Sequence, residues 1–198
     1  MLFRSFEGGV RPVKVWLTRD YVRAVRGGTG AAKCAGNYAA SLLAQRIAQG
    51  QDCDQVLWLD AVRHELVEEM GGMNVFFVFE RNGRKVLATP SLARSTILPG
   101  VTRQSLLQIA RDLGYEAEER EIELSEVLQG VAEGTVPEAF ACGTAAVITP
   151  IGEFRSTEGR WQVGDGGFGP VAQELRRRLL DIQHGVVPDP YGWMHRVI

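Results

Sequence analysis

Gly27-Gly28-Thr29-Gly30-Ala31-Ala32-Lys33-Cys34-Ala35-Gly36-Asn37-Tyr38 is the stretch on which the fold of this chain turns. It is rich in glycine and small residues, holds one lysine, and separates two hydrophobic periodicities. Before it, Val13-Lys14-Val15-Trp16-Leu17 alternates in the manner of a strand. After it, Ala40, Leu43, Ala44 and Ile47 recur at helical spacing, which predicts a helix over residues 37–49 with Gly50 placed to end it. A strand, a turn-rich connection and a helix in this order begin a mixed α/β domain.

The pattern continues outward. Residues 55–60 form a short apolar strand, and residues 75–80 and 85–89 make a hairpin around Asn82-Gly83, a pair that favours tight turns. Residues 102–113 read as a helix with Thr102 as cap or first-turn residue and Gly114 at its end. Residues 116–122 form a strand charged on one side, as suits an edge. Residues 125–133 follow as a helix that Ser125 can cap. Residues 139–143 and 148–154 are small-residue strands, and residues 170–184 are the last helix, with Pro170 in its first turn and Gly185 past its end. The pattern alone leaves parallel and antiparallel pairing open.

With 198 residues the chain suits one domain with a substantial core. A formal net charge of -2 gives no basic field for nucleic acid, and no apolar run approaches the roughly 20 residues of a membrane helix. Residues 1–5 are followed, after Phe6, by Glu7-Gly8-Gly9, without the apolar core of a signal peptide. Three cysteines, Cys34, Cys53 and Cys142, are an odd number without metal-ligand spacing, so a reduced cytoplasmic protein and no metal are expected. His64, His184 and His195 are scattered, and Arg176-Arg177-Arg178 reads as the solvated face of the last helix. Of 22 basic residues, 19 are arginines, leaving Lys14, Lys33 and Lys85 as the available amines.

Four segments suit the binding of a phosphorylated aromatic aldehyde. Lys33 lies among small residues that leave room for a flat ligand, and a lysine amine condenses with a carbonyl once it is neutral. The other reading is a solvated lysine in a glycine-rich loop. Leu66-Val67-Glu68-Glu69-Met70-Gly71-Gly72-Met73-Asn74 offers a carboxylate, which beside a pyridine nitrogen keeps that ring protonated, or else is a charged loop before a strand. Ile97-Leu98-Pro99-Gly100-Val101-Thr102-Arg103 opens a helix whose free amides suit phosphate, or is an ordinary capped helix. Cys142-Gly143-Thr144-Ala145-Ala146 presents amides to phosphate or carboxylate, or is a tightly packed strand end.

Together and in this order, these segments resemble one family, the branched-chain amino acid aminotransferases, pyridoxal-phosphate enzymes of fold type IV. GGTGAAKCAGNY is similar to that family's GGTGxxKxxGNY, and EEMGGMN, LPGVTR and CGTAAVITP follow at suitable separations. The resemblance implies an α/β (α+β mixed) fold, that of the large C-terminal cofactor domain of the D-amino acid aminotransferase-like enzymes. This domain would span residues 13–198, with residues 1–12 a non-family or linker start and the family's small N-terminal domain absent.

The resemblance also implies roles. Pyridoxal 5'-phosphate would be carried covalently by Lys33, the catalytic residue. Tyr38 matches the tyrosine at the cofactor's phenolic oxygen. Glu69, rather than Glu68, matches the carboxylate facing the pyridine nitrogen, because it stands five residues before Asn74, itself counted with the cofactor site. Leu98 matches the residue against the ring face, and Val101, Thr102 and Thr144 match phosphate binders. Gly143, Thr144 and Ala145 form the turn that meets the substrate carboxylate. The expected reaction exchanges an amino group between Leu, Ile or Val and 2-oxoglutarate or glutamate, in a homodimer with pocket residues shared across the interface. D-amino acid aminotransferase, aminodeoxychorismate lyase, or a catalytically silent fragment are the alternatives. Mammalian members carry a Cys-x-x-Cys pair where Ala146 and Thr149 stand here, so no thiol switch is expected. The family's phosphate-clamping arginine belongs to the absent domain, so the chain alone is expected to bind cofactor weakly and not to transaminate.

Overall fold

A computed structural model describes residues 10–195 and 197. The expected non-family start at residues 1–12 therefore lies, for residues 1–9, outside the described residues. The elements run β1 (Val13–Leu17), α1 (Ala35–Gly50), β2 (Gln55–Leu59), β3 (Val67–Met70), β4 (Met73–Arg81), β5 (Arg84–Pro90), α2 (Val101–Asp112), β6 (Glu116–Arg120), α3 (Leu124–Glu133), β7 (Glu138–Gly143), β8 (Val147–Arg155), β9 (Arg160–Gln162) and α4 (Pro170–Gln183). The strands follow the order β3-β2-β1-β8-β7-β4-β5-β6, and β3 also pairs with β4. That extra pairing closes six strands into a ring, from which β5 and β6 continue as a flap. Pairing is mixed: β1–β2, β1–β8 and β5–β6 are parallel and the others antiparallel.

Alternation along the strands sorts the core into an inside and an outside. On β4, Val75, Phe77 and Phe79 face the ring interior with Leu57, Met70, Ile151 and Phe154, and α3 adds Val127 and Val131 to this core. Phe76 and Val78 face outward with Phe140 and Ile148 under α2 and α4. Phe76 stacks on Phe140 at 5.2 Å between ring centres. A smaller outer core packs Ala44 and Ala48 of α1 on Val56 and Trp58 of β2. The hairpin forms at Asn82-Gly83, where both residues take positive φ (51° and 72°), the left-handed pair that a right-twisted two-residue turn requires.

Several local expectations change. On α1 the buried positions are Asn37, Ala44 and Ala48, while Ala40 and Leu43 are exposed. The outer face of β2 admits small side chains, so the helix turns its alanines inward and leaves Leu42 and Leu43 outside. Gly50 is the last helical residue rather than the stop, and the chain reverses at Asp52, which takes a positive φ of 56°. Ser125 does not cap α3: the cap position is Glu123, and the Ser125 hydroxyl donates to the Glu123 carboxylate instead. Residues 67–70, open to reading as a charged loop, are the buried strand β3.

Candidate active site

Lys33 sits on the connection between β1 and α1, one residue before the helix cap Cys34. Asn37, buried in the first turn of α1, locks this connection: its Nδ2 donates to the carbonyls of Thr29 (2.7 Å) and Ala32 (3.0 Å), and its Oδ1 accepts from the Thr29 hydroxyl (2.7 Å). Gly30 lies so close to the 96–98 segment that a Cβ would stand 2.5 Å from the Thr96 carbonyl oxygen. Thr29, Gly30 and Asn37 thus hold the loop, and Lys33 is left exposed. Lys14 and Lys85 are ion-paired, to Asp52 (2.6 Å) and Glu138 (3.5 Å), whereas Lys33 has no such pair among the described residues.

Glu69 is reached through a register shift. Leu57 pairs with Met70 and Leu59 with Val67, so Glu68 and Glu69 both oppose the single residue Trp58. This bulge turns two consecutive carboxylates out of the ring interior, where strict alternation would have sent one of them. Both are buried, and each has partners. Glu69 Oε1 accepts from the Leu98 amide (2.8 Å), and its Oε2 lies 3.2 Å from Arg23 Nε. Glu68 Oε1 accepts from the Thr96 hydroxyl (2.5 Å), and its Oε2 has no partner among the described residues. Burial pushes the Glu69 carboxyl above its ordinary value, opposed by Arg23, the Leu98 amide and Lys33. The influence of Lys33 puts the amine and the carboxylate within electrostatic reach of one another. Burial likewise raises Glu68, with the Thr96 hydroxyl and Arg23 opposing it.

Neighbouring segments gather on the same end of the ring. Asn74 stands opposite Glu69 across β3–β4 and donates to the Leu98 carbonyl (2.9 Å), so the Leu98 peptide is held at both its amide and its carbonyl. Just beyond it, α2 begins at Val101 with Gly100 as cap and no side-chain cap bond, which leaves first-turn amides free for an anion. Arg103, buried in that first turn, anchors it by donating to the Pro90 carbonyl (2.9 Å) and pairing with Glu119 (2.9 Å). Tyr38 leans over the β3–β4 turn, its ring 3.3 Å from where a Cβ of Gly72 would stand. Asn74 also pairs with Cys142 on β7, and the Gly143–Ala146 turn follows there, with Gly143 against Met73. Thr144 and Ala145 are exposed.

The structure therefore clusters Glu69, Asn74 and Leu98 by direct bonds, brings Lys33 to Glu69 electrostatically, and sets Tyr38, Val101–Thr102 and residues 143–145 on adjoining turns. Sequence reasoning passes over Arg23 and Thr96. Arg23 is one of 19 arginines and lies ten residues before the lysine, so no local pattern marks it.

The chain matches the Amino-transferase class IV family over residues 7–154. It is 56% identical over 190 residues to a probable branched-chain-amino-acid aminotransferase of Streptomyces coelicolor, covering 96% of this chain and 51% of that protein. It is 53% identical over 192 residues to the branched-chain-amino-acid aminotransferase of Mycolicibacterium smegmatis, covering 97% and 52%. Among solved structures it resembles the T.th. branched-chain amino acid aminotransferase with pyridoxamine 5'-phosphate (TM-score 0.78, 32% identity, 97% of this chain and 57% of that one). The Escherichia coli branched-chain amino acid aminotransferase matches at TM-score 0.77 and 30% identity, over 96% and 57%. The chain spans about half the length of the curated relatives it matches. With the family matched across the lysine loop, β3, the start of α2 and the 143–146 turn, the chain belongs to the class IV aminotransferases.

Proposed function

We propose that this chain carries the cofactor site of a branched-chain amino acid aminotransferase, which exchanges an amino group between leucine, isoleucine or valine and 2-oxoglutarate. The observation that carries this is the buried Glu69 carboxylate, paired with Arg23 and held by the Leu98 amide, within electrostatic reach of Lys33 and beside the uncapped start of α2. That donor set fits pyridoxal 5'-phosphate: an amine for its aldehyde, a carboxylate for its ring nitrogen, and free amides for its phosphate. The names of the relatives support the substrate class.

When bound, the cofactor supplies a carbonyl that takes up an amine and a protonated ring that accepts electrons from a carbanion. Lys33 would hold it covalently and, once released, move the proton at the amino acid Cα. Glu69 would keep a proton at the ring nitrogen, its charge undiluted by water. Val101, Thr102 and Thr144 would bind phosphate, and the Tyr38 hydroxyl the phenolic oxygen. Asn74 acts at one remove, fixing the Leu98 peptide so that the Leu98 side chain can rest on the ring face. The turn Gly143-Thr144-Ala145 would orient the substrate carboxylate.

We extend the reading to a cytoplasmic homodimer. Three free cysteines suit a reducing compartment, and among the described residues no helix is long and apolar enough to cross a membrane. Leu42 and Leu43 on α1, 68% and 57% exposed, support an apolar contact with a second copy, which light scattering checks by mass. For the cofactor site, the chain is mixed with pyridoxal phosphate, reduced with borohydride and mapped by peptide. Label is expected at Lys33 and absent in Lys33→Ala. Label at the ion-paired Lys14 or Lys85, with Lys33 clean, overturns the assignment. Glutamate formed from leucine and 2-oxoglutarate tests the substrates.

A further inference from the structure

We propose that Arg23 is the positioning residue of this site: one buried guanidinium joins the lysine loop, the 96–98 segment and the Glu69 carboxylate, and thereby keeps that carboxylate ionised and aimed. Three contacts carry it. Arg23 Nη2 donates to the Gly30 carbonyl (3.1 Å), three residues before Lys33, and to the Thr96 carbonyl, two residues before Leu98. Its Nε lies 3.2 Å from Glu69 Oε2. Both side chains are almost wholly inaccessible, at 3% and 2%. A carboxylate so placed would give up its charge unless a cation shared the cavity.

The contact with Glu69 is electrostatic rather than a well-aligned hydrogen bond, since Nε has no such partner among the described residues. The two carbonyls hold the guanidinium in place, and its charge acts on Glu69 from there. The titratable groups that bear on Glu69 are Arg23 and Lys33 from the β1–α1 connection, Cys142 from β7, and Glu68 from the same strand. Lys33 is exposed, whereas Arg23 is fixed and dry, so Arg23 is the cation that water does not screen.

The role of Glu69 toward a pyridine nitrogen rests on the cofactor reading above, but the coupling of Arg23 to Glu69 can be measured without cofactor. The chain is prepared with carbon-13 at glutamate Cδ, and each resonance is followed against pH. Glu69 is assigned by its loss in Glu69→Gln, and Glu68 by its loss in Glu68→Gln. In Arg23→Met the Glu69 midpoint should rise by about one pH unit or more, the usual effect of removing a close opposite charge. Arg23→Lys keeps the charge and should hold the midpoint near that of the parent chain. A contact that only stiffens the loop would leave the Glu69 midpoint unmoved in a folded Arg23→Met chain, and that result overturns the proposal.

Should Arg23→Met fail to fold, Glu69→Gln is added to it. Recovery of the fold is then expected, because the second change removes the stranded charge; no recovery overturns the proposal. Borohydride trapping of pyridoxal phosphate at Lys33 is read separately on the parent chain. Its absence counts against the cofactor reading, while the Glu69 shift still decides the role of Arg23.

Discussion

The carboxylate of Asp60, 2% exposed, accepts from four backbone amides: Oδ1 from Glu65 (3.0 Å) and Leu66 (2.8 Å), Oδ2 from Val62 (3.2 Å) and Arg63 (2.9 Å). It ties residues 60–66 into the approach to β3 and so fixes where the Glu68–Glu69 bulge begins. Burial alone would raise this carboxyl, but the amides of Arg63, Leu66, Glu65 and Val62 together bring it down to about 2. The folded state therefore prefers the ionised form. Its contribution is complete above the ordinary carboxylate value near 4 and is lost as pH falls toward about 2. That lowering of the carboxyl corresponds to roughly 2.5 kcal/mol. Asp60→Asn keeps the shape but turns one acceptor into a donor that faces amides. It should cost about 2 kcal/mol at pH 7 in urea denaturation, and the gap between parent and variant should close between pH 4 and 2. A gap that stays constant with pH would mean that the charge is not what the amides hold.

At the scale of elements, the lysine loop is held by shape. A Cβ on Gly30 would meet the Thr96 carbonyl oxygen at 2.5 Å and the Ala24 Cβ at 2.7 Å. Gly30→Ala should destabilise by roughly 1–3 kcal/mol, as overpacking does, and slow the trapping of cofactor at Lys33. Gly50→Ala, at an open position in α1, should be neutral or slightly stabilising. Equal effects in thermal unfolding would remove the case for close contact at Gly30. What the sequence could disclose divides along the same line. Hairpin, edge strand and the glycines that follow α2 and α4 come from local periodicity and turn residues, whereas the stop of α1 and the cap of α3 do not, and the four site segments are legible as motifs. The bulge in β3 is not, because two adjacent glutamates look like a solvated loop until Arg23, Thr96 and the Leu98 amide arrive from distant segments. The buried face of α1 escapes periodicity for a related reason: the side buried depends on the room over β2, not on where the larger apolar residues lie.

Across the whole molecule, the candidate site has a dry side and a wet side. Arg23, Glu68, Glu69 and Thr96 are buried and hold one another through Arg23–Glu69, Arg23–Thr96 and Thr96–Glu68 contacts. Lys33, Val101, Thr144 and Ala145 are exposed among the described residues, and Tyr38 is 40% exposed. Charge–charge contacts on the first side act at low dielectric, whereas water competes for each contact on the second. The 198-residue polypeptide is thus expected to take pyridoxal phosphate at Lys33, since the amine is accessible and Glu69 is in place, but to hold it loosely. Loss of about 3 kcal/mol of transition-state stabilisation lowers a rate on the order of a hundredfold, and we expect a deficit of at least that size in glutamate formation from leucine and 2-oxoglutarate. The reference is the Mycolicibacterium smegmatis relative, about twice as long as the stretch it shares with this chain. Cofactor titration followed by absorbance should give a correspondingly higher Kd for the shorter polypeptide. Turnover equal to the reference, with Lys33 still exposed to an amine-reactive probe, would show that an open site suffices and that exclusion of water contributes little here.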